Sequence, residues 1–92
     1  MAEIGTTESG LYYVKMDIAE AAKCGFGYKP GRCICMYCNN IADPVYYIPV
    51  LNDTLCEICF NSWKTRAKRY EEDVAFENNK LTQVKTQLGI IV

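Results

Sequence analysis

Apolar and polar positions along the first third of the chain predict a strand followed by a helix. Residues 11–16, Leu-Tyr-Tyr-Val-Lys-Met, form a short run rich in aromatic and branched side chains, which is typical of a β-strand. Residues 1–10 are polar and predict a loose leader. Asp17 followed by Glu20 matches a capping box, so we expect a short helix over residues 18–24. A glycine-rich loop then leads into the middle of the chain.

The middle of the chain predicts a β-hairpin. Residues 44–50, Pro-Val-Tyr-Tyr-Ile-Pro-Val, have the composition of a strand, and residues 54–56 supply a short return strand after an Asn-Asp turn. Proline cannot donate a ladder hydrogen bond, so the two prolines limit pairing. We therefore expect at least part of the first hairpin strand to lie at the edge of a sheet.

The last third of the chain has the spacing of a helix. From Glu57 onward, apolar residues recur at alternating intervals of three and four, and only Glu77 interrupts them: Phe60, Trp63, Ala67, Tyr70, Val74, Leu81, Val84 and Leu88. A continuous helix from Glu57 to Leu88 would be about 48 Å long. Because so small a protein cannot cover that length, we expect either a break near Asn78-Asn79 or a partner against the far end.

The predicted strands and helices indicate one small domain of the α+β class, and its size indicates that it needs additional stabilisation. The chain has 92 residues, of which 50% are hydrophobic and 23% charged, and its net charge is −1. A core of this size is marginal without metal, disulfides or association. We divide the domain into an N-terminal part (1–32), a central metal-binding module (33–65) and the helix continuation (66–88). The near-zero charge argues against a general electrostatic hold on nucleic acid.

The chain has six cysteines and no histidine, so its redox environment decides whether the cysteines form disulfides or bind metal. Residues 1–10 lack the basic start and apolar stretch of a secretion signal. No apolar run approaches the roughly 18 residues that span a bilayer, so no membrane partner is expected. We therefore expect a cytoplasmic protein, in which thiols stay reduced and paired cysteines bind metal.

The cysteine spacing predicts one metal ion per chain. Cys35-x2-Cys38 and Cys56-x2-Cys59 are separated by seventeen residues. A two-residue gap lets both sulfurs of a pair reach one ion, and two pairs complete the tetrahedron that Zn²⁺ prefers. Iron in a rubredoxin-like site and a disulfide pair are the alternatives. Cys33 could replace Cys35 as the first ligand; otherwise Cys33 and Cys24 are expected to be buried apolar thiols.

The order of these elements resembles a treble-clef zinc finger. The matching residues are the Cys35–Cys38 turn, the hairpin from Val45 to Leu55, and Cys56-Glu57-Ile58-Cys59 at the start of a helix. The resemblance covers about residues 33–65 and implies a structural zinc ion between a zinc knuckle and a helix N-terminus. It departs from the usual pattern at Asn39, where glycine commonly follows the first pair.

Four cysteine ligands and the lack of histidine predict a non-catalytic protein. A catalytic zinc site keeps one position open, and four thiolates would close it. We expect a protein partner, or a second copy of the chain, and no small-molecule substrate. Tyrosine is favoured at interfaces, and the partner-binding candidates are Tyr46, Tyr47, Leu81, Val84 and Leu88. The last three could instead pack on the N-terminal strand and short helix of the same chain. By analogy with other small zinc proteins, we expect a bacterial or phage accessory factor, for instance a regulator or inhibitor of a host enzyme.

A basic segment beside the metal site offers the alternative of nucleic-acid binding. Lys64, Arg66, Lys68 and Arg69 lie on the predicted helix and could contact phosphates. Three acidic residues follow at 71–73 and balance much of this charge. We therefore favour the protein partner over the nucleic acid.

Overall fold

A four-stranded antiparallel sheet forms the centre of the protein. The computed structural model describes residues 2–25 and 34–89. The strands β1 (Glu3–Thr6), β2 (Tyr12–Met16), β3 (Val45–Ile48) and β4 (Asp53–Leu55) lie side by side in sequence order. The expected α+β class is confirmed, because helices follow both the first and the last pair of strands.

The first ten residues are not the loose leader that we expected. β1 pairs with β2 from Glu3 opposite Lys15 to Thr6 opposite Tyr12. The turn between them contains Gly10 at φ +90, a backbone conformation that glycine adopts without steric cost. β1 has few apolar residues because it lies at the edge of the sheet, so its composition alone did not indicate a strand.

The expectation of an edge position for the hairpin strand is wrong. β3 lies between β2 and β4, and all four of its residues are buried. Pro44 precedes the strand and Pro49 follows it, so neither proline interrupts the paired residues. Central placement explains why the strand is apolar on both faces, as buried strands are.

The N-terminal helix follows the prediction. α1 spans Ile18–Lys23, with Cys24 as its C-cap. Both hydrogen bonds of the capping box are present: the Glu20 amide donates to Asp17 Oδ1 over 2.7 Å, and the Asp17 amide donates to Glu20 Oε1 over 3.1 Å. Gly25 follows at φ +76 and ends the helix.

The C-terminal third of the chain forms two helices, which is the expected alternative of a break, although the break lies elsewhere. α2 spans Glu57–Arg66, a 3₁₀ turn covers Glu71–Asp73, and α3 spans Val74–Leu88. The backbone is extended at Ala67 and Tyr70, so the break lies well before Asn78-Asn79, which are inside α3. Gly89 ends α3 at φ +74, as predicted.

The break lets the two helices cover opposite faces of the sheet. Phe60 of α2 stacks on Tyr46 with ring centroids 4.3 Å apart, on the face that also carries Tyr13. Val14 and Tyr47 point the other way, are almost fully buried, and need their own cover. α1 and α3 contact each other, and their buried residues Ala21, Leu81 and Val84 belong to the same core as Val14 and Tyr47. One apolar stripe in the sequence is thus divided between two faces.

Glu77, which interrupts the apolar stripe, joins three parts of the structure. Its side chain is 1% exposed, and Oε2 accepts a hydrogen bond from the Tyr12 amide over 3.0 Å. The Arg69 guanidinium lies 3.9 Å from Oε1 and donates to the Gly10 carbonyl over 2.8 Å. A buried carboxylate is costly unless it is paired and hydrogen-bonded. Glu77 therefore ties α3 and the preceding linker to the β1–β2 turn.

We predict that Glu77→Ala destabilises the fold by about 1–3 kcal/mol, because the part-buried Tyr12 amide loses its acceptor. Chemical denaturation of the metal-loaded protein measures the change. Glu72→Ala, which removes an exposed carboxylate from the same region, should change stability by less than about 0.5 kcal/mol. Equal stability of the two variants would show that the Glu77 contacts do not matter.

Candidate metal centre

The first cysteine pair lies in a tight, hydrogen-bonded turn. Ile34 and Ile41 form an antiparallel bridge, and within it the Cys35 amide donates to the Asn40 carbonyl over 2.8 Å. The Asn39 amide donates back to the Cys35 carbonyl over 2.9 Å. Asn39 has φ +60, and asparagine tolerates this left-handed conformation better than most residues. Asn39 therefore adopts the left-handed backbone conformation for which glycine is the more common residue.

The second cysteine pair lies at the start of α2. Cys56 is the N-cap residue, and Cys59 lies in the first turn. Amide groups in the first turn have no partner within the helix and carry partial positive charge, which favours thiolates. β4 leads directly into Cys56, and the Met36 amide donates to the Thr54 carbonyl over 2.9 Å. β4 therefore holds the turn of the first pair beside the helix start.

The four sulfur atoms have the separation that a single metal ion requires. The Sγ atoms of Cys35, Cys38, Cys56 and Cys59 all lie within 4.8 Å of one another. The Cys38 and Cys56 sulfurs are 3.7 Å apart. Sulfurs at about 2.3 Å from a tetrahedral ion lie about 3.8 Å from each other, whereas a disulfide needs about 2.05 Å. These four cysteines are free thiols, so they could hold a metal ion and do not form the alternative disulfide pair.

The backbone prepares Cys35 to act as a thiolate. Burial raises the pKa of this thiol, but amide hydrogen bonds from Cys56, Cys38 and Tyr37 outweigh it and lower the pKa to about 7. The pKa of Cys59 is raised, first by its hydrogen bond with Cys35 and then by burial. Neighbouring thiolates repel one another without a cation. A divalent ion removes that repulsion and displaces the remaining protons.

Of the other two cysteines, the structure describes only Cys24, which is not part of this cluster. Cys33 lies outside them, so its role as a substitute ligand stays a prediction. Cys35 is a member of the cluster. Cys24 is free and buried at the end of α1, as expected, and burial followed by the Glu20 carboxylate raises its pKa. A protonated, buried thiol is poorly suited to react.

Four of the predicted partner-binding residues belong to the protein's own core. Tyr46, Tyr47, Leu81 and Val84 are each less than 8% exposed, and the fifth residue, Leu88, packs partly buried against them. The expectation that Tyr46 and Tyr47 lie at the surface is wrong, because both belong to the core and Phe60 of α2 stacks on Tyr46. Leu81, Val84 and Leu88 pack within the chain, which is the alternative that was expected for them. Tyr47 also donates a hydrogen bond to Asn52 Oδ1 over 2.7 Å inside the hairpin.

Three of the four basic candidates make contacts within the chain. Lys64 lies over the Phe60 ring at 5.6 Å, and Arg66 lies over the Tyr37 ring at 5.8 Å. Arg69 binds the Gly10 carbonyl and pairs with Glu77. Lys68 is exposed on the linker after α2. The structure therefore does not collect the four cations on one continuous helix face.

Four exposed apolar side chains lie on the two segments that carry the metal ligands. We call these residues the collar: Met36, Tyr37, Ile41 and Ile58, which are 53%, 46%, 57% and 82% exposed. The only other large apolar residues exposed among 2–25 and 34–89 are Tyr70 and Phe76. None of these four residues was predicted from the sequence to belong to a site, although a signal was present. Met36, Tyr37 and Ile58 fall in the two-residue gaps between ligands, where backbone geometry turns side chains away from the ion.

Comparisons with protein-family models, with curated proteins and with solved structures gave no match to this chain. Across the described residues, no helix has the length and apolar character needed to cross a membrane.

We predict that replacing Cys56 and Cys59 together by serine unfolds the protein. Metal binding to a four-cysteine site contributes on the order of 10 kcal/mol, which is as large as the whole stability of a typical domain. Far-ultraviolet circular dichroism and amide NMR spectra measure the loss. Cys24→Ala, the matched control, should keep the fold and the metal. A native spectrum from the double variant would contradict a structural metal site.

Proposed function

We propose that the protein is a non-catalytic, zinc-stabilised binding module whose collar contacts another protein. Zinc is the metal that four closely placed thiolates in a reducing compartment favour. We also infer a treble-clef arrangement, supported by the order of cysteine turn, β3–β4 hairpin and helix-opening cysteine pair. In this proposal the ion acts as a staple: four thiolates leave no open position for a substrate or water.

The observation that carries the proposal is the collar. Four of the six exposed large apolar side chains in the described structure border one metal centre. Single exposed apolar residues need no explanation, but a grouped set commonly marks a contact surface. The position of the collar residues beside the metal ligands supports a binding role more strongly than amino-acid composition does.

Backbone hydrogen bonds hold the turn that carries three of the four collar residues. The Met36 amide is hydrogen-bonded to Thr54, and Ile41 pairs with Ile34 across the turn. Arg66 lies over the Tyr37 ring and restricts it. Holding contact residues in place reduces the entropy lost on association. The metal therefore supports binding indirectly, by fixing the backbone that presents these side chains.

Nucleic-acid binding stays an alternative prediction, and no observation favours it. The internal contacts of Lys64, Arg66 and Arg69 would have to be weakened for phosphate binding. A cytoplasmic location, a bacterial or phage origin and self-association likewise remain expectations from the sequence.

Selection of peptides from an unbiased display library on the zinc-loaded protein tests the collar. We predict that selected peptides bind Ile58→Ser at least about tenfold more weakly, a loss of about 1.4 kcal/mol. Phe76→Ser, which removes an exposed apolar residue from α3, should leave binding unchanged. Fluorescence anisotropy measures both. Peptides that lose binding only on Phe76→Ser, or a selection that enriches none, would contradict the proposal.

A further inference from the structure

A groove lies between the turn of the first cysteine pair and the start of α2, on one side of the collar. Its lining residues are Asn40, Ile41, Asp43, Cys56, Glu57 and Ile58. Two large apolar side chains, Ile41 and Ile58, stand well exposed beside it. Both of its charged side chains are carboxylates, and both are exposed. The groove therefore combines apolar contact area with negative charge.

The metal centre adds to this negative charge. A divalent ion bound by four thiolates leaves a net charge of about −2, and Cys56 belongs to both the cluster and the groove. Arg66 of α2 lies on the Tyr37 ring and does not line the groove. Clefts lined by charge of one sign concentrate the opposite charge.

We propose that this groove binds a segment of a partner protein that presents an apolar side chain next to lysine or arginine. The inference rests on the proposed function and adds the chemistry of the partner. The apolar side chain would lie against Ile41 and Ile58 and supply most of the affinity, as buried anchors do. The cation would lie near Asp43 and Glu57 and would mainly set specificity and the rate of association.

The same charge disfavours other classes of partner. Anionic lipid head groups and nucleic-acid phosphates both attract basic surfaces, and the groove offers two carboxylates and the thiolate cluster instead. A basic, apolar protein segment is the partner that complements both features.

Three biased peptide-display libraries test the partner chemistry on the zinc-loaded protein. Each library fixes a leucine or phenylalanine at its centre, flanked by Lys/Arg, by Asp/Glu or by Ser/Gly. We expect the basic library to give binders at least about tenfold tighter than the others at low salt. Their affinity should fall as salt rises, because exposed charge pairs are screened. Each binder is also measured on Ile58→Ser, so that binding outside the collar is recognised.

Charge variants of the groove provide the second arm. Glu57→Lys and, separately, Asp43→Asn should reduce the preference for basic peptides, and Glu57→Lys should improve binding of acidic ones. Zinc content is measured for each variant, and Asp43→Asn keeps the test usable if Glu57→Lys impairs folding. Glu72→Lys, which changes an exposed carboxylate outside the groove, should leave the preference unchanged.

The outcomes separate the two proposals. Tight binders from the acidic or neutral library that depend on Ile58 would overturn the partner chemistry and leave the proposed function standing. Libraries that yield no Ile58-dependent binder would overturn both. Binding to vesicles of phosphatidylserine and phosphatidylcholine that is lost in Ile58→Ser would also overturn the inference, in favour of a membrane surface.

Discussion

The rest of the structure depends on four sulfur atoms that come together at one point. The cysteine turn, the end of β4 and the start of α2 are joined there, and hydrogen bonds from the Met36 amide and the Thr54 hydroxyl also link the turn to β4. Because metal binding contributes on the order of 10 kcal/mol, it can outweigh what a core of this size supplies. The ion would thus decide whether α2 lies against the sheet, and with it whether Phe60 and Trp63 are buried.

A second group of contacts fixes the linker between α2 and α3 and the first turns of α3. The metal centre anchors the start of α2, and the contacts of Glu77 and Arg69 anchor the passage into α3. Between them the linker turns the chain from one face of the sheet to the other. The β1–β2 turn takes part in this second anchor, so the N-terminal hairpin and the C-terminal helix stabilise each other.

The sequence predicted the features that arise from local chemistry. Two-residue cysteine gaps, the Asp17–Glu20 capping box and the glycines after α1 and α3 depend on neighbours within four residues, and each lies where it was predicted. The features that depend on distant residues were missed. The apolar stripe continues in phase through the linker, so nothing local showed that the helix breaks there. The break is explained by the buried Glu77, which contacts Tyr12 and Arg69 at positions distant or separate from α3.

The candidate site was predicted in part for the same reason. Ligand spacing located the four cysteines, but consecutive tyrosines in β3 looked like surface residues until the sheet showed cover on both faces. The collar could not be predicted from the sequence, because the exposure of a side chain depends on the folded structure. In the proposed function, the metal centre therefore holds the collar residues in place and carries out no reaction of its own.

The proposed function requires that the sulfurs of Cys35, Cys38, Cys56 and Cys59 bind one zinc ion. X-ray absorption spectroscopy of the purified protein at the zinc edge measures the ligand atoms directly. The sulfur positions predict a single shell of four sulfur atoms at about 2.3 Å from zinc. A shell that contains nitrogen or oxygen, or a protein that is folded without any bound metal, would contradict the claim.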